Sequence, residues 1–307
     1  MDAEIRRLSN ALIGEIFLTL GFSKTGLAYN LFRWLFHPVA DRLSSLALTA
    51  DRMIASDGFP KAAEWMLGHW CKDVSSRGEE TIPHSGPLLV ISNHAGTYDT
   101  FLLASLIKRH DLKLIASDVP FLKNLPNAND HILFLSDNTQ DRMLAARRAM
   151  QYLKDGGAVL LYGTGLIDPD PAVYPGADEW IEKWLPSIDL FLRLVPETKI
   201  VLSITSGVVA ERWAYHPVTW LARVDWKKRR LAEFAQVIHQ LFRPGRFYLK
   251  PCVSFSIPVD TDTLQSESGA TKLLPAIIAR GKRLLLDHCM VYDSCAKIPS
   301  VRDVSLE

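Results

Sequence analysis

The stretch Pro87-Leu88-Leu89-Val90-Ile91-Ser92-Asn93-His94-Ala95-Gly96-Thr97-Tyr98-Asp99 decides how the rest of the chain is read. It opens with a short apolar run behind a Gly-Pro turn. A run with no polar alternation is what a strand covered on both faces requires. Asn93 and His94 leave it, Gly96 permits a turn, Thr97 stands as candidate N-cap, and Asp99 to Arg109 follows at helical spacing. His94 and Asp99 are five positions apart. On one ideal helix they would diverge by roughly 140° and could not meet. On a loop leading into a helix, with Asp99 in the first turn, the chain can fold the two together.

That geometry has a chemical consequence. A carboxylate in the first turn of a helix is favoured by the helix dipole. It can accept a hydrogen bond from one imidazole nitrogen, which leaves the other free to act as a base. Such a His takes the proton from a hydroxyl as it attacks a thioester, without a covalent enzyme intermediate. The chain contains no Gly-x-Ser-x-Gly elbow that would supply a serine nucleophile. By itself His-x-x-x-x-Asp is common by chance; the strand before it and the helix after it give it weight.

Downstream the pattern continues as strands alternating with helices. Leu112 to Ala116 and Ile132 to Leu135 read as strands, and Asp141 to Lys154 as an amphipathic helix stopped by Gly156-Gly157. Ala158 to Leu161 is a further strand, Glu179 to Leu194 a helix, Lys199 to Ile204 and Lys250 to Val259 strands, and Ala270 to Cys289 a closing helix. The alternation predicts an α/β fold, a mostly parallel or mixed sheet flanked by helices. Upstream, residues 1 to about 72 read as a helical layer: Leu8, Leu12, Ile16 and Leu20 with a stop at Gly21, then Leu27 to Ile54, then Lys61 to Trp70. The expected organisation is an N-terminal helical layer over 1–72, a candidate for membrane association, and an α/β domain over 73–307 with an insertion at about 210–246.

Val90-Ile91-Ser92-Asn93-His94 with Asp99 resembles the first motif of the glycerolipid acyltransferase superfamily, the glycerol-3-phosphate and lysophosphatidate acyltransferases. The order that follows is also similar, from the helix Asp141 to Lys154 through Gly156-Gly157 to an apolar strand ending in Gly163-Thr164. The resemblance covers roughly residues 74 to 210. It implies a phospholipid-biosynthetic O-acyltransferase in which His94 is the general base and Asp99 its orienting partner. Acyl-CoA or acyl carrier protein would serve as cosubstrate, with no metal or other cofactor.

The departures bear on the acceptor. The family reads Phe-Pro-Glu-Gly-Thr-Arg where this chain has Tyr162 before Gly163-Thr164 and Gly165 after them. Its second motif has an Arg soon after a Phe, where Phe134-Leu135-Ser136-Asp137-Asn138 offers an acid and an amide. An Arg fork is the natural partner of phosphate. The expected acceptor is accordingly a hydroxylated lipid or glycolipid, unless Arg142, Arg147 or Arg212 compensates. Tyr162, Gly163, Thr164 and Gly165 are candidate substrate-binding residues, and the glycines would let backbone N–H groups approach a developing oxyanion. A thioesterase-like hydrolase and a catalytically silent lipid-binding protein are the alternatives.

The remaining features narrow the partners. Net charge is +1 over 307 residues, with no nucleic-acid motif, so no nucleic-acid partner is expected. Mean hydropathy is +0.05, high for a soluble chain, yet Glu15, Lys24, Asn30 and Arg33 interrupt every candidate spanning segment near the N-terminus. Trp213, Trp220 and Trp226 beside Lys227-Lys228-Arg229-Arg230 fit a helix lying on an anionic membrane, as well as a solvated charged face. The expected location is cytoplasmic, peripheral on the inner face of the membrane. The four cysteines form no Cys-x-x-Cys pair and read as reduced thiols, Asp168-Pro169-Asp170-Pro171 reads as a turn, and His131, His216, His239 and His288 read as structural or exposed.

Overall fold

The structure, a computed structural model, describes residues 2–19, 26–117, 120–135, 138–268 and 272–292. Strands β1 (Ser75–Arg77), β2 (Leu88–Ser92), β3 (Leu112–Ser117), β4 (Ile132–Leu135), β5 (Ala158–Tyr162), β6 (Lys199–Ser206) and β7 (Cys252–Phe255) form one sheet in the order β1-β7-β6-β2-β5-β3-β4. Every pairing is parallel except β6 with β7. The expected α/β architecture is therefore what the chain adopts, with one antiparallel step near an edge.

Helices α1 (Asp2–Thr19), α2 (Leu27–Asp57) and α3 (Phe59–Leu67) make the N-terminal layer. Next come α4 (Asp99–Ile107), two short turns α5 (Pro120–Lys123) and α6 (Pro126–Asn129), and α7 (Thr139–Lys154). The segment read as a single helix over 179–194 is two, α8 (Ala177–Ile181) and α9 (Ser187–Leu194). Pro186 lies between them, where it removes a backbone donor. The region 210–246 holds α10 (Glu211–Ala214), a short 3-10 turn at Pro217–Leu221, and α11 (Asp225–Phe242), and the chain closes with α12 (Thr261–Ser268) and α13 (Leu274–Tyr292). Gly21, Ser136, Asp137 and the expected helix start at Ala270 lie outside the described residues.

The five residues of β2 are all buried, as a strand between two neighbours and two helical layers must be. Strand alternation divides them between two cores. Leu88 and Val90 join Leu102 and Leu103 of α4 and Trp70 on one face, while Leu89 and Ile91 join Leu153 of α7, Trp184 and Ile277 of α13 on the other. β5 follows the same parity, so Ala158, Leu160 and Tyr162 turn toward α4. This parity puts Tyr162 next to Asp99. Among the described residues no helix is long and apolar enough to cross a membrane. Cys71 and Cys252 are free thiols, but Cys289 is disulfide-bonded, contrary to the reading of four reduced cysteines.

Candidate active site

β2 lies between β5 and β6, and the loops leaving the carboxyl ends of these three strands converge. In open α/β sheets this edge is where ligands bind. Asn93 extends the β2–β6 ladder with its side chain: Nδ2 donates to Thr205 O at 2.9 Å and Oδ1 accepts from Thr205 N at 2.8 Å. The backbone is thereby free to peel away at His94.

His94 Nδ1 lies 2.8 Å from Asp99 Oδ2. The turn between them brings Gly96 N–H to the same oxygen at 3.1 Å. Asp99 is the first residue of α4 and fully buried, while the His94 side chain is 26% exposed. An acceptor-only carboxylate makes Nδ1 the protonated nitrogen, so Nε2 is the free one. The pairing expected from the five-residue spacing is thus formed. Thr97, expected as N-cap, does not cap the helix. Tyr98 holds that position with no side-chain capping bond, and Thr97 Oγ1 donates instead to Glu233 Oε2 at 2.7 Å.

The second carboxylate oxygen belongs to Tyr162. Its hydroxyl donates to Asp99 Oδ1 at 2.6 Å and, its only proton being spent there, accepts from Thr100 Oγ1 at 2.7 Å. The Tyr162 ring stacks on the His94 ring, with centroids 4.1 Å apart and planes at 16°. Tyr162 was expected to meet substrate. The contacts it makes are with the His94 ring and the Asp99 carboxylate, from a position 7% exposed.

The glycine amides expected to face an oxyanion are engaged within the turn. Gly163 N–H donates to Ser92 O at 2.9 Å and Gly165 N–H to Tyr162 O at 3.1 Å, so both amides hold the turn. Glycine is needed at 163 because a Cβ there would stand 2.4 Å from the Trp184 indole, and at 165 because φ is +67°. Thr164 Oγ1 donates to Asp168 Oδ1 and accepts from Leu166 N–H at 3.1 Å.

Asp168 and Asp170, read as parts of a turn, are both buried and both tie loops together. Asp168 Oδ2 accepts from His94 N–H at 3.0 Å, and Asp168 N–H returns a bond to His94 O at 2.7 Å. Asp170 accepts from the N–H groups of Gly207, Val208 and Val209, which anchors the loop after β6. His288, read as structural, sits buried between Ser206 Oγ and Ser254 Oγ.

The sequence reading took α11 as a membrane-lying or solvated helix and missed its buried polar face. Arg229, Glu233, Gln236 and Gln240, spaced one helical turn apart, are all buried on one face. Arg229 Nε donates to Ile167 O at 3.1 Å, and its guanidinium lies 4.4 Å over the Trp180 ring while Nη2 is buried with no partner among the described residues. Gln236 bridges Ala210 N–H and Val208 O, and Gln240 accepts from Tyr98 Oη while donating to Trp70 O. A polar stripe at helical spacing was the available signal, but the adjacent Lys227-Lys228-Arg229-Arg230 run obscured it. Lys227 is exposed, whereas Arg229 from the same run is 7% exposed. Of the arginines weighed as substitutes for the family's, Arg212 stacks on Phe247 at 3.8 Å and Arg147 lines a groove with Met150, Gln151, Lys154 and Leu194.

The charges at the site act on one another. Burial by itself would lower His94, but the carboxylate of Asp99, with Glu233 and Asp168 behind it, brings it up to about 9. Burial pushes Asp168 up to about 6 against its bonds from Thr164 and the His94 amide. Glu233 rises to about 7 from burial, held down by His94 and Thr97. Among the described residues no group of three or more His, Cys, Asp and Glu side chains could hold a metal ion.

Residues 73–178 match the family model described as Acyltransferase. The chain is also similar, at 18% identity and a TM-score of 0.41, to the crystal structure of the 1-acyl-sn-glycerophosphate (LPA) acyltransferase PlsC from Thermotoga maritima, over 91% of this chain and 95% of that one. No curated protein sequence matches it. The matched residues 73–178 carry His94, Asp99, Tyr162 and Asp168, so the similarity to the Acyltransferase family falls on the segment that builds the site.

Proposed function

We propose that this protein transfers a fatty acyl group from a thioester, acyl-CoA or acyl carrier protein, to a hydroxyl of a lipid or glycolipid acceptor. The observation that carries this reading is the His94–Asp99 pair. Its carboxylate is held by Gly96 N–H and Tyr162 Oη, and its imidazole is the part left accessible. Nε2 takes the proton of the acceptor hydroxyl as the oxygen attacks the thioester carbonyl. The tetrahedral intermediate expels the thiolate, which recovers the proton from His94. Asp99 fixes the tautomer and stabilises the imidazolium formed during attack. With His94 protonated up to about 9, the active base is the neutral fraction, and turnover climbs with pH until that proton is lost. A neutral hydroxylated acceptor is favoured by Tyr162 and Gly165, which offer no guanidinium to a phosphate.

The same reading places the protein at a membrane surface, on the cytoplasmic side. Leu27, Leu31, Trp34 and Leu35 are exposed at the start of α2, and Trp220, Leu221 and Val224 are exposed beside Arg223 and Lys227 before and within α11. Such pairings of apolar and cationic side chains suit an anionic interface.

The test is transfer of a labelled acyl group from acyl-CoA and from acyl carrier protein to monoacylglycerol, glycosylated diacylglycerol and lysophosphatidate. His94→Ala and Asp99→Ala are each expected to cut transfer roughly 100-fold or more while the fold survives. Full activity in both variants would sink the reading. Free fatty acid released at the same rate with and without acceptor would replace it with a thioesterase.

A further inference from the structure

Glu233 reaches the His94 loop from α11, outside the segment that carries the His-x-x-x-x-Asp motif. It is 3% exposed. Oε2 accepts from Thr97 Oγ1, and Oε1 is buried without a hydrogen-bond partner among the described residues. A Cβ on Gly96 would stand 3.5 Å from the Glu233 carboxyl carbon, so the acid is packed against the two residues in the middle of the loop joining His94 to Asp99. The Thr97 bond needs only an acceptor, which a glutamine amide oxygen supplies without a charge. The second oxygen, Oε1, is buried and makes no hydrogen bond among the described residues, so hydrogen bonding to Thr97 alone does not explain an ionisable acid here. A role for the charge itself accounts for its presence.

The groups that face His94 come from each surrounding element: Asp99 from α4, Tyr162 from β5, Asp168 from the loop after β5, and Glu233 from α11. Arg229 acts on Asp168 and Glu233 from one turn earlier on α11, and Arg230 also acts on Glu233. Asp99 bonds the ring and Asp168 bonds its backbone. Glu233 does neither, and so acts on the imidazole only through space and through the loop.

We propose that Glu233 is a positioning residue for acyl transfer: bonded to Thr97 and packed against Gly96, it clamps the loop between His94 and Asp99, and its charge, held against that loop, favours the protonated form of the base. This rests on the reading of His94 as that base. Glu233 and His94 are reciprocal partners, since each favours the charged form of the other. Losing the Glu233 charge makes His94 easier to deprotonate.

Two variants separate the parts. Glu233→Gln keeps the shape and the Thr97 bond without the charge, and Thr97→Val keeps the charge without the bond. The readouts are the pH profile of kcat/KM and a nuclear magnetic resonance titration of ring-labelled His94. In Glu233→Gln both the acid limb and the His94 titration are expected to move down by about one pH unit. In Thr97→Val kcat is expected to fall about tenfold with the limb and the donor KM unchanged, as for a loosened loop. An unmoved His94 titration in Glu233→Gln overturns the proposal. If that variant does not fold, the carboxyl resonance of Glu233 is followed in wild type and His94→Ala. Its titration is expected to shift upward when the cation is lost, and no shift overturns the coupling. Full activity of His94→Ala would defeat the base reading alone, because both titrations still report on the pair.

Discussion

Replacing Tyr162 with Phe removes one oxygen from the site and leaves the ring that stacks on His94 in place. Of the two Asp99 oxygens, Oδ2 keeps Gly96 N–H and His94 Nδ1, whereas Oδ1 has Tyr162 Oη as its partner. The loss is one hydrogen bond to a fully buried carboxylate, and such bonds contribute about 1.5–3 kcal/mol. Taking about 2 kcal/mol, at about 2 °C per kcal/mol for a large domain, Tm should fall by about 4 °C. Asp99 is also released to turn about its side-chain bond, so the imidazole is held less firmly and kcat/KM should fall roughly tenfold, mostly in kcat. Differential scanning fluorimetry and the acyl-transfer assay measure the two effects in parallel. A Tm within about 1 °C of wild type, together with unchanged kcat/KM, would refute the assignment of Tyr162 as the support of Asp99.

Stability should depend on pH through His94 in a definite sense. Its folded value of about 9 stands above the ordinary 6.5, so its contribution is complete below pH 6.5 and is lost as pH rises through about 9. The Tm of wild type is expected to fall across that window, and the part of the slope due to this group should vanish in His94→Ala; an identical slope in both proteins would contradict the charge pairing. His288 works in the opposite sense: burial lowers it to about 4, so its contribution is lost as pH falls from 6.5 through that value. At the membrane surface, cosedimentation with vesicles containing anionic lipid at low salt should be strong and weaken with added salt. Trp220→Ser with Leu221→Ser should weaken it further without changing the fold, and indifference to vesicles at any salt would end the interfacial assignment.

The sequence by itself determined the parts whose cause is local. The apolar run 88–91 behind a Gly-Pro turn pointed to a doubly covered strand, and it lies in one. His94, Gly96 and Asp99 lie within a single loop and the first turn of a helix, so chain geometry alone brings the pair together. The N-terminal helices, β2, α4, β3, β4, α7 and β5 were legible because their periodicities are short-range, whereas the short β1, α5 and α6 carry too few residues to show a period. Tertiary structure decided the rest. Whether Tyr162 meets substrate or Asp99 depends on β5 lying next to β2, on the parity that turns alternate side chains toward α4, and on a contact 63 positions apart in the chain. The Gly163 and Gly165 amides looked available for catalysis until the turn that consumes them was in view. Glu233 lies 136 positions from Thr97, and the polar stripe of α11, though regular, does not say that it meets the loop after β2. The His94–Asp99 pair is a property of a short segment. The environment that sets its charge is assembled from β5, the loop behind it and α11, which only the packed sheet and helices bring to one edge.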